Sequence, residues 1–248
     1  MSTSEPAPMT EPATQRAFET VLQHIESQIL DGHLSVGDRL PAERDLALQL
    51  SVSRPAVREA IRTLEAQGVM ASRVGSGARS GTHVISDRSQ ALGRLLRLQV
   101  ALSQFPLDEV VVARIALERS SAQLAASPDA DGPQLDEMES LLEAMEQTQN
   151  LDEFNSLDSR FHIAIARAGN NTLVGDLTQA VRESLRGPIM RAERSLDDWM
   201  GFRSQLCAEH QAIAEAIQAG DAPAAADRVE AHIRNAYAIL PLTDPTGE

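Results

Sequence analysis

Apolar residues recur every three or four positions along most of this chain, which is the spacing of a helix with one buried face. The first such segment predicts a helix that ends near Gly32, from the positions Phe18, Val21, Leu22, Ile25, Ile29 and Leu30. Two more helices are predicted over 43–50 and 54–67. Two short apolar runs follow, at 69–71 and 82–85, and predict strands on either side of a glycine-rich loop.

Beyond residue 90 the helical spacing continues, and no segment shows the sustained alternation of a strand. Proline and glycine residues divide this part into seven predicted helices, near 90–104, 107–126, 132–148, 151–168, 172–190, 199–219 and 222–239. The predicted fold class is therefore mainly α, with three helices and a two-stranded hairpin ahead of an antiparallel all-helical bundle of six to seven helices. The predicted organisation is a disordered tail over 1–15, a first domain over 16–85, a linker over 86–90, a helical domain over 91–240 and a tail over 241–248.

The segment 54–67 has the features of a helix that faces a nucleic acid. Ser53 is a natural N-cap, and Gly68 suits the left-handed residue that ends a helix. The predicted buried face carries Val57, Ile61 and Leu64, and a stripe about a quarter turn away carries Arg54, Arg58 and Arg62. A helix that is anchored on one side and cationic beside it can enter the major groove of DNA. The alternative is a helical hairpin whose arginine face is only solvated.

The stretch LPAERDLALQLSVSRPAVREAIRTLEAQG, residues 40–68, resembles the winged helix-turn-helix signature of GntR-family transcriptional regulators. The resemblance implies that Arg44, Ser53, Arg54 and Arg58 contact DNA, and that Gly75 reaches the minor groove from the turn of the wing. The loop around Gly75 is rich in glycine and arginine, which suits a flexible hairpin that follows a phosphate backbone. A loop that is only mobile is the alternative.

The distribution of charge agrees with a DNA-binding first domain. The net charge of the chain is −14, yet residues 36–85 hold seven Arg against five acidic residues. Residues 86–248 hold 14 Arg against 26 acidic residues, so most of the negative charge lies there. Such an acidic domain would oppose loose adhesion to DNA. Every cationic side chain of fixed charge is an arginine, which suits bidentate contacts to guanine or phosphate.

The composition also bears on the compartment. No apolar run approaches the roughly 20 residues that span a bilayer. The first residues, MSTSEPAPMTEPATQ, lack the basic start and apolar core of a signal peptide. Cys207 is the single cysteine, which excludes an internal disulfide. We therefore expect a cytoplasmic protein without a membrane partner.

Three of the six histidines draw attention because of where they lie in the predicted helices. Asp158 and His162 are four residues apart, so their side chains project from one helix face, one turn apart. His210 and His232 lie in apolar stripes, which predicts that they point into the bundle. Burying these four groups without partners would be unfavourable, and one shared divalent cation would satisfy them all. The alternative is that each histidine is hydrogen-bonded separately within the core.

The segments 114–126, 161–170 and 209–233 resemble the C-terminal ligand-binding (FCD) domain of FadR-type GntR regulators, and the two resemblances together cover roughly residues 16–240. In metal-binding members of that subfamily, an Asp-x3-His pair and two later interior histidines hold a divalent metal. The resemblance thus implies that Asp158, His162, His210 and His232 are metal ligands. This donor set suits Zn²⁺ first, with Ni²⁺ or Mn²⁺ at higher coordination. It further implies a small carboxylate or sugar-acid effector beside the metal.

Arginines of the helical domain are the candidate effector residues. Arg114 matches a family arginine that can anchor an effector carboxylate, and an ion pair with Glu118 is the alternative. Arg203 is a second candidate. A further row along one helix is expected to form a solvated or dimer-facing surface instead, and its members are Arg182, Arg186, Arg191 and Arg194.

These patterns predict a dimeric transcriptional regulator, a repressor, that binds double-stranded DNA at a palindromic operator. Effector binding at the metal would change the spacing of the two DNA-binding domains. One alternative is a metal-dependent enzyme fused to a DNA-binding module, although the sequence has no HExxH or GxSxG motif and offers no catalytic residues. The other alternative is a regulator whose metal is purely structural.

Overall fold

The structure is a computed structural model that describes residues 13–73, 80–85 and 88–242. Within these ranges it contains ten helices and one two-stranded antiparallel sheet, which confirms the predicted mainly α class. The chain divides into two compact units, Met1–Ala91 and Leu92–Glu248, which we call the head and the helical domain. None of the described helices combines the length and the apolar composition needed to cross a membrane.

The head consists of three helices and a hairpin: α1 (Ala13–Leu30), α2 (Glu43–Leu50), α3 (Arg54–Ala66), β1 (Met70–Arg73) and β2 (Gly81–Val84). Its core lies between the helices and the base of the hairpin, with Ile25, Leu46 and Leu64 among its largest fully buried side chains. Val57 and Ile61 are buried beside them, so the predicted apolar face of α3 is confirmed.

The two ends of α3 follow the predicted chemistry. The Oγ of Ser53 accepts a hydrogen bond from the backbone N–H of Ala56 at 3.4 Å. Gly68 has φ = 73°, the left-handed conformation that only glycine adopts without strain. The turn between α2 and α3 is short, with Ser51 also in the left-handed region. The arginine stripe of α3 is exposed, so α2, α3 and their turn form a helix-turn-helix with a cationic outer face.

The hairpin is anchored at its base to the core of the head. Met70 pairs with Val84 at the buried end, and Arg73 pairs with Gly81 at the other. Gly81 has φ = 115°, a conformation that favours glycine, whereas the close approach of the exposed Arg39 side chain could be relieved by a change of its rotamer. The loop beyond, residues 74–79 with Gly75, lies outside the described residues.

Seven helices follow, in the number and order predicted: α4 (Arg88–Ala101), α5 (Leu107–Ala125), α6 (Gly132–Gln147), α7 (Leu151–Ala168), α8 (Thr172–Arg194), α9 (Trp199–Gln218) and α10 (Ala222–Ile239). The main core is built on α5, α6, α7, α9 and α10, with Phe154, Phe161 and Ile213 fully buried. A smaller apolar cluster includes Val100, Leu107 and Leu185 and joins α4, α5 and α8.

Among the predicted boundaries that differ from the structure, three add residues to a helix. Helix α1 begins at Ala13, so residues 13–15 are helical rather than part of a tail. Helix α4 begins at Arg88, within the predicted linker. Helix α8 continues to Arg194, four residues past the predicted end, and it contains Pro188. In each case the added residues are mostly good helix formers, which extend a helix once tertiary packing has fixed its body.

Candidate functional site

Four side chains converge in the interior of the helical domain. Asp158 and His162 come from α7, His210 from α9 and His232 from α10. Each residue offers one ligand atom, and these four atoms lie within 4.8 Å of one another. The histidines are at most 3% exposed. The fold therefore brings together all four residues that the sequence singles out as metal ligands, and we call them the ligand cluster.

The Nε2 atoms of His162 and His210 face each other at 3.3 Å. The Oδ1 atom of Asp158 lies 3.1 Å from the Nε2 of His210 and 3.7 Å from the Nε2 of His162. The ring of His232 completes the group, with its centroid 4.5 Å from that of His210. Phe161 packs against the rings of His162 and His210 at centroid distances of 5.3 and 4.9 Å. One side of the ligand cluster is therefore an apolar wall.

Carboxylates outside the ligand cluster hold two of the histidine rings. The Nδ1 of His162 lies 2.8 Å from the Oε2 of Glu118, and the Nδ1 of His232 lies 2.9 Å from the Oε2 of Glu209. Glu209 is itself held by Asn235, whose Nδ2 donates to its Oε1 at 2.8 Å. When Nδ1 donates its hydrogen to a carboxylate, the Nε2 lone pair remains for an ion. This is the usual arrangement around histidine ligands of protein-bound metals.

Arg182 of α8 joins the ligand cluster to the outer carboxylate. Its Nη2 donates to the Oδ2 of Asp158 at 2.5 Å, and its Nη1 donates to the two carboxylate oxygens of Glu118 at 2.9 and 3.0 Å. The side chain is only 5% exposed. Arg182 is thus a bridge between two carboxylates in the interior.

The expectation that Arg182 belongs to a solvated or dimer-facing surface is therefore wrong. It lies in the buried stripe of α8 formed by Thr178, Val181 and Leu185, and the two acids that it pairs with come from other helices. The remaining members of the arginine row are exposed, as expected, at Arg186, Arg191 and Arg194.

The electrostatics of the ligand cluster favour the protonation states that bind a cation. Burial would raise the pKa of Asp158, but the charge of Arg182 and a hydrogen bond from His210 hold it well below its usual range. Burial and the charge of Arg182 lower the pKa of His162 to about 3, and burial also lowers that of His210. At neutral pH the carboxylate is ionised and these imidazoles are neutral, which are the forms that metal ligands require.

The donor set fits a divalent cation. The facing Nε2 atoms of His162 and His210 can share only one hydrogen between them, whereas an ion would use the lone pairs of both. The Nδ1 of His210 is buried and has no hydrogen-bond partner in the part of the chain that the structure describes. One carboxylate oxygen and three imidazoles are a common donor set for zinc and related ions. The ligand cluster could therefore hold a metal.

A small cavity of about 40 Å³ adjoins the ligand cluster, and its lining includes Asp158, His232, Arg114, Arg182 and Tyr237. The Nε of Arg114 donates to the Oε1 of Glu118 at 2.6 Å, and its Nη1 donates to the Tyr237 hydroxyl at 3.3 Å. Burial would lower the pKa of Arg114, but the charge of Glu118 outweighs it and the pKa is raised. Arg114 thus forms the ion pair that was the alternative to effector binding, and it also faces the cavity.

The cavity also has a polar pair without a cation in direct contact. The Nδ2 of Asn155 donates to the Oε2 of Glu193 at 3.0 Å, and both residues are buried and line the cavity. Burial, together with the charge of Asp158, raises the pKa of Glu193 to about 8. The Glu193 carboxyl is therefore mostly neutral at pH 7 and can both donate and accept hydrogen bonds.

Arg203 lies elsewhere. Its Nη2 donates to the backbone oxygens of Met145 and Glu146 at 2.6 Å each, near the C-terminal end of α6, and its guanidinium lies over the ring of Phe154. It is not among the described residues that line the cavity. The expected effector role of Arg203 has no support in this geometry, because its donors satisfy carbonyls that the end of a helix leaves unpaired.

The residues expected to contact DNA lie at the start of α2 and of α3. Arg44, Ser53, Arg54 and Arg58 are all exposed. Arg58 is held by Glu43, with its Nε 3.2 Å from Oε1 and its Nη2 2.8 Å from Oε2. Exposed guanidinium groups near helix N-termini suit contacts to phosphates and base edges.

Comparison with known proteins decides the family. The model of "Bacterial regulatory proteins, gntR family" matches residues 17–79, and the FCD domain model matches residues 109–235. A protein of Escherichia coli strain K12, named for regulation of the L-lactate dehydrogenase operon, is 31% identical over 230 residues, which cover 93% of this chain and 88% of that protein. This chain belongs to the gntR family of bacterial regulatory proteins.

This gntR-family protein is also 29% identical over 220 residues to the transcriptional regulator LutR of Bacillus subtilis strain 168, covering 86% of this chain and 95% of LutR. Among solved structures, Streptococcus agalactiae GntR has the same fold, with a TM-score of 0.58 and 24% identity over 88% of this chain and 97% of that chain. The family and these relatives are transcriptional regulators. The chain is accordingly a DNA-binding transcriptional regulator and not an enzyme.

The sequence of this gntR-family regulator does not reveal several residues of the site. Glu209, Glu193 and Asn155 lie on helices whose spacing says nothing about their partners on other helices. A usable signal exists for Arg182, which is four residues from Thr178 and three from Leu185 and so falls on the apolar face of its helix.

Proposed function

We propose that this regulator is a homodimeric repressor whose affinity for a palindromic operator is controlled by a small organic acid. The acid binds beside a divalent metal ion in the helical domain. The observation that carries the proposal is the ligand cluster itself, because it adjoins a cavity lined by two buried arginines, Arg114 and Arg182.

The metal ligands in this proposal are Asp158, His162, His210 and His232, with Zn²⁺ as the first candidate and Ni²⁺ or Mn²⁺ as alternatives. When bound, the ion supplies a positive charge that attracts an oxygen of the effector. Other side chains of the protein hold the ligand side chains in position. Glu118 and Glu209 orient two of the imidazoles, and Arg182 holds the carboxylate of Asp158.

The effector is a small carboxylate or sugar acid. Arg114 anchors its carboxylate from α5, because this guanidinium stays charged in the interior and faces the cavity. The relative named for the L-lactate dehydrogenase operon supports an organic acid as the signal.

In the head, Arg44, Ser53, Arg54 and Arg58 contact the operator, and Gly75 of the wing approaches the minor groove. Support comes from the exposed arginine face of α3 and from the match to the family over residues 17–79. Since such DNA lies in the bacterial cytoplasm, the protein acts there.

The second copy that a palindrome requires has a candidate contact surface on α4. Three leucines of this helix, Leu92, Leu95 and Leu98, and Leu102 just beyond it are 40–66% exposed and lie along one side. Proteins of the family typically dimerise, and burial of this surface would remove four large apolar side chains from water. Effector binding then acts by favouring one arrangement of the dimer over another.

The metal assignment is tested with His210→Ala and with His33→Ala as the matched control, because His33 is exposed in the head. Elemental analysis of the purified wild type should find about one divalent ion per chain. His210→Ala should lose the ion and His33→Ala should keep it. Equal metal content in all three proteins would contradict the assignment.

The DNA contacts are tested with the double variant Arg54→Ala, Arg58→Ala in a gel-shift assay with the promoter DNA of the regulator's own gene. The variant should lose specific binding while its circular dichroism spectrum stays that of the wild type. Arg191→Ala and Arg194→Ala, which remove exposed arginines of α8 outside the cavity lining, are the control. Undiminished specific binding by the folded double variant would overturn the proposal.

Effector control is tested by a thermal-shift screen of small carboxylic and sugar acids, with and without added metal. An acid that raises the melting temperature of the metal-loaded protein and weakens its operator binding supports the proposal. If the metal-loaded protein responds to none of the acids, the metal is structural and the proposed control by an acid is wrong.

A further inference from the structure

We propose that Glu193 and Asn155 read a hydroxyl group at the end of the effector that lies away from its carboxylate. The effector is then a hydroxylated acid with a polar group at each end, and not a simple alkanoate. This inference rests on the proposed function, since it concerns the specificity of the same cavity.

The cavity has two chemically different ends. Arg182 and Glu193 both line it from α8 but are eleven residues apart, which is about three turns and about 16 Å along the helix. Their side chains therefore enter from opposite directions. On α7 the corresponding residues are Asp158 at the cationic end and Asn155 at the other, one turn and about 4.5 Å apart along the axis.

The first end attracts anions. Arg114 and Arg182 line it beside the ligand cluster, and the Nε of Arg182 is buried without a hydrogen-bond partner among the described residues. A carboxylate belongs here, because charge-assisted hydrogen bonds from arginine favour it over any neutral group.

The second end suits a hydroxyl group. Glu193 is 4% exposed and its one hydrogen bond described by the structure comes from Asn155, at 3.0 Å. Its carboxyl group keeps acceptor capacity for a ligand hydroxyl, whether or not it is protonated, and the Asn155 side chain adds an amide oxygen. A methyl group would leave these buried polar atoms without partners, a cost that a hydroxyl group avoids.

The spacing limits the size of the ligand. The two ends are about one helical turn apart along α7, and the cavity volume of about 40 Å³ has room for three or four water-sized groups. A three-carbon acid with a terminal hydroxyl group fills such a space and reaches both ends.

The matched probes are glycerate and lactate, which share the carboxylate and the 2-hydroxyl group and differ in the terminal hydroxyl group. Isothermal titration calorimetry on the full-length, metal-loaded protein should give the wild type about fivefold to tenfold higher affinity for glycerate, the value of one net hydrogen bond. Glu193→Met, which keeps the length of the side chain but removes its polar atoms, should abolish this preference and keep the affinity for lactate.

Two further variants separate specificity from folding. Glu193→Gln keeps a hydrogen-bonding group and should retain most of the preference. Glu183→Met, on the same helix but outside the cavity lining, should behave as the wild type. Metal content and melting temperature without ligand, measured on each variant, show that it is folded.

The possible results distinguish failure of this inference from failure of the proposed function. A wild type that binds lactate and glycerate equally, or a Glu193→Met variant that keeps the preference, overturns the inference and leaves effector binding intact. A wild type that binds neither acid overturns the inference, and the metal and operator assays above then decide the proposed function separately.

Discussion

Arg182 offers the most direct test of how the interior of the helical domain is held together. It is buried and bridges Asp158 and Glu118, which come from different helices. The substitution Arg182→Met removes the charge and fills most of the volume. It leaves the buried carboxylate of Glu118 and the half-buried carboxylate of Asp158 without a partner that each had in the wild type.

The expected loss follows from the burial of the bridge. Removal of one partner from a buried ion pair costs about 3–5 kcal/mol in free energy of unfolding. For a unit of this size that corresponds to a melting temperature lower by about 6–20 °C. A bound divalent ion would replace Arg182 for Asp158 but not for Glu118. We therefore expect roughly half of the loss to remain in the metal-loaded protein.

The assay is thermal and urea unfolding of wild type and variant, each with EDTA and with saturating zinc. Arg194→Met is the control, because its ion pair with Asp152 is exposed and should contribute less than about 1 kcal/mol. A loss of less than about 1 kcal/mol in EDTA would refute the importance of the buried bridge. An equal loss with and without zinc would refute the idea that the ion and Arg182 neutralise the same carboxylate.

Three further predictions follow from individual contacts. The raised pKa of Glu193 makes the neutral form of its carboxyl group the stabilising one. Between pH 4.5 and 8 the EDTA-treated wild type should therefore lose free energy of unfolding relative to Glu193→Gln as pH rises, by up to about 1.4 kcal/mol per pH unit. Parallel curves of stability against pH for the two proteins would contradict this. Glu209→Gln should weaken metal binding about tenfold to a hundredfold in a chelator competition assay, because Glu209 orients His232, and an unchanged affinity would exclude that role. Glu43→Gln should change the free energy of unfolding by less than about 1 kcal/mol. Because Glu43 orients Arg58, the variant should nevertheless show a lower ratio of operator to non-operator binding in a competition gel shift. An unchanged ratio would rule out this orienting role.

Much of the fold can be predicted from the sequence because its helices are amphipathic and separated by proline and glycine. The buried face of α3 and both of its ends follow from Ser53, Gly68 and the spacing of apolar residues. The helix boundaries are less predictable. The residues beyond the expected end of α8 have helical propensity of their own, and Pro188 does not stop the helix.

The candidate site can likewise be predicted only in part from the sequence. Local spacing brings Asp158 and His162 to one helix face, and apolar neighbours predict that His210 and His232 point inward. The partners of these residues cannot be predicted, because Arg182 meets its acids only after three helices pack together. Periodicity describes which face of a helix is buried, but not which charged groups meet there.

Arg182 also determines how many atoms Asp158 can offer to an ion. The Oδ2 of Asp158 is held by the guanidinium, and only Oδ1 is turned towards the imidazoles. With three histidines the chain then supplies four donors, so a tetrahedral ion is saturated by the protein, whereas an octahedral ion keeps two positions for oxygen atoms from a small acid. Under the proposed function, the metal available to the cell would therefore act as a second input to gene control, because an ion with open positions would bind the acid directly, whereas a four-coordinate zinc ion would attract it only through its charge.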